Sequence, residues 1–439
     1  MGMGRKKRVA VSIIVPVLNA IDYIDECLES ALNQTLGDIE IICVDAGSDD
    51  GTYERIEYYK ENDNRIVLIK SNYKSYGYQM NLGIHSARGE YIGLIEADDY
   101  VDCNMFFRLY EVANEKKLDV VKSDNMIFYG DKNNRTFIQG YVLQPSDRDL
   151  YSIVTNYTKD FRIMYSNVTT WSGIYNRDFL LQNDIMHNET PGAAFQDNGF
   201  WLQVMIYAKR IFFLNEAYYN LRRDNEKSSV FSKEKTECLH KEFKYMRNCI
   251  IKRGVDKEKL LQFLWEYRFK KRNFDIGKSK YEDRKYLIKL IASEMKEAIL
   301  RGELVKTNEN EILYNEILFL SEYPERFFEE NYLLNEVIVD RIKGASKVYI
   351  YGAGLIAQNS FILLNGINRM DEKFMGFVVS DTKVNPPYYN NKKVWSIDSL
   401  MKDDLVIIGV SEKYINDVKK SLEERNIANY VEYNILIKK

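Results

Sequence analysis

The sequence predicts an α/β protein whose larger part is a mostly parallel sheet flanked by helices, on three observations. From Val9 onward, apolar runs of strand length alternate with segments of helical spacing, the order of repeated βαβ units with right-handed crossovers. The nine residues Tyr91-Ile-Gly-Leu-Ile-Glu-Ala-Asp-Asp99 are apolar until they end in three carboxylates. A buried parallel strand accounts for the apolar part; unpaired charges are too costly to desolvate, so the carboxylates belong at the strand's carboxyl end, where open α/β sheets keep their ligand crevices. Toward the other end of the chain a short apolar run meets Gly352-Ala-Gly354, and a later one ends on Asp381, which predicts a further, smaller α/β region.

In chain order, residues 11 to 15 read as the first strand, ended by Pro16, with Asn19 as N-cap of a helix whose apolar face is Ile21, Ile24, Leu28 and Leu32. Residues 39 to 44 form a second strand closing on Asp45, and Gly47, Asp50 and Gly51 mark the turn beyond it. A helix over 52–61, a strand over 66–69 and a helix over 80–87 lead into the acidic-ended strand. Helix over 105–116 and a strand from Val120 follow; residues 129–167 show no clean period, and 200–208 read as helix. Beyond Arg223, from Ser232 to about Glu330, the patterns are helical throughout, and Arg268, Lys270, Lys271 and Arg272 form a basic run, read as a solvated helix face or a dock for a polyanionic acceptor. Strands over 348–351, 374–380 and 405–410 complete the chain.

A length of 439 residues suits two or three domains. The expected division is residues 1–230 for the large sheet domain, 231–340 for a helical region and 341–439 for a small Rossmann-like α/β domain. For the last, strand, glycine-rich turn, helix, strand and acidic residue follow one another as in a dinucleotide fold, although about half the usual length is present. With 45% hydrophobic and 29% charged residues and a net charge of −3, the composition is that of a soluble globular chain without general attraction to nucleic acid. No apolar stretch approaches the ~18 residues that span a bilayer. The basic cluster Arg5-Lys-Lys-Arg8 lacks a cleavable apolar sequel and reads as a flexible leader or a contact for anionic lipid. Five scattered cysteines without a Cys-x-x-Cys pair point to a reducing compartment and away from structural zinc.

The three carboxylates admit two readings: a divalent cation gathers them, or Asp98 and Asp99 cap the following helix. Four segments bear on the choice: Val11-Ser-Ile-Ile-Val-Pro-Val-Leu-Asn19, Val44-Asp-Ala-Gly-Ser-Asp-Asp-Gly51, Asn81-Leu-Gly-Ile and Glu96-Ala-Asp-Asp99. In that order and spacing they resemble the nucleotide-sugar-binding half of family 2 glycosyltransferases with the GT-A fold. The segment Pro191-Gly-Ala-Ala-Phe-Gln-Asp-Asn-Gly-Phe-Trp201 is similar to the family's second acidic motif.

The resemblance implies an inverting, metal-dependent transferase using a UDP-sugar, with Mg²⁺ or Mn²⁺ held by Asp98 and the donor phosphates. It implies that Asp45 accepts from the base, Pro16 and Leu18 wall it, Asn81 lies along the pocket floor and Glu96 reaches the ribose; farther along the chain, Arg222 or Arg223 reads as a clamp on the diphosphate or as a plain surface pair. Asp197 is implied as general base, against the alternative of a helix N-cap. The acceptor would be a hydroxyl of a cell-surface glycan, teichoic acid or lipid-linked molecule in a bacterial envelope pathway. The expected site of action is the cytoplasm, with peripheral contact at the inner face of the membrane and homo-oligomer formation both left open. Two other readings are a sugar nucleotidyltransferase, whose lysine-bearing glycine loop is missing after the first strand, and a non-enzymatic nucleotide-sensing or scaffold protein.

Overall fold

The computed structural model describes residues 8–130, 132–225, 237–365, 367, 370–389 and 392–436. Arg5, Lys6 and Lys7 of the basic cluster, and Ser232 where the helical pattern begins, lie outside the described residues; Arg8 pairs with Glu90 at 3.0 Å. The chain divides into two compact units, residues 1–229 with 244–249, and residues 230–243 with 250–439.

The first unit is built from strands β1 (Val11–Val17), β2 (Ile39–Asp45), β3 (Ile66–Lys70), β4 (Tyr91–Leu94), β5 (Tyr100–Val101), β6 (Val120–Tyr129), β7 (Thr136–Gly140), β8 (Gly173–Asn176) and β9 (Ile211–Arg222). Its helices are α1 (Ile24–Leu32), α2 (Thr52–Asn62), α3 (Tyr76–Ser86), α4 (Met105–Lys116), α5 (Arg177–Gln182) and α6 (Gln196–Tyr207). The strand order is β3-β2-β1-β4-β8-β6-β9-β5, with β7 on β6. The first four strands run parallel, and every residue of β1, β2 and β4 is buried, as expected of strands covered on both faces. Gly93 lets α4 approach: a Cβ there would lie 2.3 Å from the Phe106 ring.

Four local expectations shift. Pro16 does not end β1, which runs on to Val17 with Pro16 opposite Val44. Pairing with β4 stops after Ile14, whose carbonyl accepts from the Ile95 amide, so Pro16, of the same parity, faces a side with no ladder to supply. Asn19 is no helix cap. It sits at φ +53 and exchanges hydrogen bonds with Ser48 and Asp49, and α1 starts later, at Ile24. Helix α3 starts earlier than its apolar spacing shows, because Ser75 caps it through the Tyr78 amide. The acidic-ended strand has only four ladder residues, and 95–99 form a turn.

The second unit contains α7 (Cys238–Arg253, of which residues 244–249 belong to the first unit), α8 (Lys257–Lys278), α9 (Arg284–Leu300), α10 (Glu311–Glu322), α11 (Pro324–Asn331) and α12 (Glu336–Gly344). These are followed by β10 (Val348–Tyr351), α13 (Leu355–Leu364), α14 (Met370–Lys373), β11 (Phe374–Val379), β12 (Tyr388–Tyr389), β13 (Lys392–Ser396), β14 (Leu405–Ile408), α15 (Glu412–Glu423) and β15 (Tyr430–Glu432). The sheet order is β12-β13-β11-β10-β14-β15, parallel apart from β12. One apolar cluster joins Trp265 and Phe269 of α8, Ile291 of α9, and Val348 and Ile350 of β10.

The basic run is not one surface. Arg268 is buried, held by Glu294 at 2.8 Å and Asp275 at 2.5 Å, and Arg272 lies over the Phe269 ring. Arg284, also buried, donates to the backbone oxygens of Ile362 (3.0 Å), Leu363 (2.5 Å) and Asn365. It thereby satisfies the open carbonyl end of α13, where a cation is favoured.

Candidate functional site

The parallel strands β2, β1 and β4 end side by side, and each hands the chain to a loop carrying a predicted residue. At the end of β2, Asp45 is fully buried and accepts from the amides of Gly47 (2.8 Å) and Ser48 (3.1 Å) and from the Ser48 hydroxyl (2.5 Å). A carboxylate has about four acceptor positions, so three of them shape its own turn. Beside it, Pro16 is buried in β1 and Leu18 is 44% exposed at the strand's end, an apolar side chain facing out over the loop.

The acidic turn after β4 is held from the far end of β9. Tyr219 donates to Asp99 (2.7 Å) and accepts from the Glu96 amide (2.9 Å). The Arg222 amide donates to the other Asp99 oxygen (2.7 Å), and its Nε donates to the Asp98 carbonyl (2.9 Å). Asn225 donates to Asp98 Oδ2 (2.8 Å). The Asp99 side chain is thus buried and spent on structure, while Asp98 stays partly exposed. Helix α4 begins only at Met105, after Asn104, so neither aspartate caps it.

The guanidinium of Arg222 is fixed as well. Glu26 binds it at 2.8 Å, and the Tyr23 and Phe128 rings cover it. Arg135 shares Glu26 at 2.7 Å. In this arrangement Arg222 steadies the Asp98 turn, which differs from the diphosphate clamp expected of it. Trp171 lies against Tyr219, ring centres 4.3 Å apart.

A third wall comes from α3 and the segment before α6. Asn81 accepts from the His187 amide (2.9 Å) and donates to the His187 carbonyl (3.0 Å) and to Glu189 (2.9 Å). Its amide therefore binds this segment to α3, where a pocket-floor position was expected. Gln196 accepts from the Ala194 amide and donates to Thr190 and Gly192, and Gly192 pairs with Lys74 and Tyr76. Phe195, in the left-handed region at φ +67, is the N-cap residue of α6, so Asp197 stands in the first turn of the helix and does not cap it.

Electrostatics ties these walls together. Glu96 accepts from the Tyr76 hydroxyl at 2.8 Å. Burial pushes its carboxyl up to about 8, the Tyr76 bond works against this, and Asp98 and Asp197 push in the same direction as burial. Asp99 is raised well above the usual range by burial and by Asp98. Burial, with the charge of Asp98 added to it, thus favours the neutral forms of Glu96 and Asp99, and a divalent cation is what relieves such crowding of carboxylates. Among the described residues no three His, Cys, Asp or Glu side chains form a cage. The donor chemistry, one partly exposed aspartate beyond the carboxyl end of β4, fits Mg²⁺ or Mn²⁺ that also takes oxygens from a bound phosphate.

Spacing missed Tyr76 and Asn225 as partners of the acidic turn, and gave Tyr219 no such role. A tyrosine just past Ser75 and an asparagine after Arg222 are ordinary in sequence; their roles exist only across the fold. Among the described residues no helix is long and apolar enough to cross a membrane.

Residues 12–179 match the family described as glycosyl transferase family 2. Over 223 residues the chain is 34% identical to the glycosyltransferase EpsJ of Bacillus subtilis (strain 168), covering 50% of this chain and 62% of that protein. Over 229 residues it is 32% identical to glycosyltransferase GlyG of Streptococcus pneumoniae serotype 4, covering 48% and 70%. The chain thus spans under two thirds of the first of these relatives. The crystal structure of S. aureus TarS in complex with UDP-GlcNAc shares the fold at a TM-score of 0.58 and 20% identity, over 71% of this chain and 88% of that one.

Proposed function

This chain belongs to glycosyltransferase family 2, and from that premise we propose that it moves a sugar from a UDP-sugar to a hydroxyl of a cell-envelope acceptor with inversion at the anomeric carbon. The acceptor class is a surface glycan, a teichoic acid or a lipid-linked molecule. The observation that carries the reading is the turn at 96–99, which Tyr219, Arg222 and Asn225 hold so that Asp98 remains partly exposed beside the more buried Glu96 and Asp99. The UDP and UDP-GlcNAc complexes of TarS support uracil as the base.

In this reading Asp45 offers its remaining acceptor position to the base, with Leu18 and Pro16 as the apolar wall. Glu96, protonated near neutral pH, meets a ribose hydroxyl. Asp98 and the donor phosphates would hold Mg²⁺ or Mn²⁺, which when bound supplies charge neutralisation for the departing diphosphate. Asp197 takes the proton from the acceptor hydroxyl as that oxygen attacks. Asn81 and Gln196 keep the segment carrying Asp197 against α3, and Arg222 keeps the Asp98 carbonyl in place.

The test is incubation with a panel of UDP-sugars and Mn²⁺ while UDP release and product mass are followed. Acceptor-dependent UDP release supports transfer. Pyrophosphate chemistry, or binding with no turnover on any donor, would overturn it.

A further inference from the structure

In the smaller sheet the chain leaves β10 toward β11 and β13 on one side and returns to β14 and β15 on the other. The strand order therefore reverses between β10 and β14, and in parallel sheets such a reversal opens a crevice beyond the carboxyl ends. A cleft of about 260 Å³ lies there, lined by Tyr351, Ser380 and Val410 at the ends of β10, β11 and β14 and by Tyr414, Asp417 and Ser421 of α15. Tyr351 and Ser380 share a hydrogen bond. The lining combines aromatic rings, hydroxyls and one carboxylate.

The chain next to this wall is shaped by glycine. Gly352 has φ +110, and a Cβ on it would lie 2.9 Å from the Gly409 carbonyl and 3.2 Å from Val410. Helix α13 then starts at Leu355 from Gly354, which has no side chain to cap it, so its first amides are open to a ligand. Nothing lies within 4 Å of where a Gly354 Cβ would be, and Leu355 is 69% exposed.

We propose that this cleft is a second nucleotide site, made of residues distinct from the donor site, which takes a nucleoside monophosphate or diphosphate. The nucleoside occupies the cleft: Asp417 and the hydroxyls of Ser380 and Ser421 meet ribose and base donors, and the Tyr414 ring offers an apolar face. The phosphate sits at the amide end of α13. At about 260 Å³ the cleft is smaller than the ~300–1,000 Å³ of drug-sized ligand sites and has room for no more than one nucleoside, which sets a mononucleotide above a dinucleotide.

The test uses the full chain with AMP, ADP and NAD as probes, chosen because none carries uracil. Melting temperature and titration calorimetry are read at about 1 mM nucleotide. AMP or ADP is expected to raise the melting temperature, and Gly354→Asp and Ser421→Trp each to weaken that binding about tenfold or more. Gly354 has φ −89, so aspartate fits without strain and can itself cap α13; the unliganded melting temperature of that variant should hold or rise. Ser421→Trp fills the cleft by a separate route. No shift with any of the three probes, or binding that survives either substitution, overturns the site. Tighter binding of NAD than of ADP overturns the mononucleotide assignment.

Discussion

The Tyr219 hydroxyl donates to Asp99 at 2.7 Å while accepting from the Glu96 amide at 2.9 Å, so one phenol on β9 closes both ends of the acidic turn. Removing it leaves a buried carboxyl and a backbone amide each one partner short. Tyr219→Phe is therefore expected to cost about 1–3 kcal/mol of stability and to weaken metal-dependent UDP binding more than metal-free binding. Urea unfolding and calorimetry with and without Mn²⁺ check this. An unchanged Mn²⁺ dependence would separate the phenol from the placement of Asp98.

Asp98 and Asp197 should fail differently. Asp98→Ala is expected to abolish the gain in UDP affinity that Mn²⁺ brings. Asp197→Asn is expected to keep UDP binding but lose turnover by about 10²–10⁴-fold, because only the proton acceptor is removed. Comparable turnover in Asp197→Asn would take that residue out of the mechanism.

His187 gives the first unit an acid-sensitive element. Its ring is buried, lies flat on Phe200 with centres 4.2 Å apart, and among the described residues neither ring nitrogen has a partner. Burial pushes its titration down from 6.5 to about 3. The unfolded chain takes up this proton near 6.5 and the folded chain only near 3, so stability is lost as pH falls through that window. His187→Phe should remove this loss. The stability difference between variant and wild type should widen in urea titrations from pH 7 down to about pH 4; a constant difference would rule His187 out as the source.

In the second unit, Arg284 is a buried cation that donates to three backbone carbonyls at the end of α13. Arg284→Met keeps much of the side chain's bulk but leaves those carbonyls unpaired, and should destabilise the protein by about 3 kcal/mol. Chemical unfolding measures it, and loss of amide protection concentrated in α13 under hydrogen exchange is the expected signature.

Strands β1 to β3 and helix α4 were legible because burial on a sheet face and amphipathic spacing are written locally. Asp45, Glu96, Asp98 and Asp99 were legible for a related reason: charge has to leave the core where an apolar run stops. Other features were not local. Pro16 reads as a strand terminator, yet β1 continues through it because β4 has already ended beside it. Asn19 reads as a helix cap, yet it binds a loop about thirty residues away. Arg268 reads as one charge of a solvated face, yet two carboxylates hold it in the interior.

By itself the sequence determined the alternation of strands and helices, the strand ends at which the acidic residues gather, and membership of a glycosyltransferase family. Tertiary structure decided what each polar group is engaged in: Asp99 and Arg222 in holding the turn, Asn81 and Gln196 in binding the segment before α6, and Asp98 partly exposed at the edge. The division follows from range. Periodicity acts between neighbours along the chain, whereas a hydrogen bond such as Tyr219 to Asp99 joins residues 120 positions apart and exists only once the sheet has brought β9 beside the end of β4.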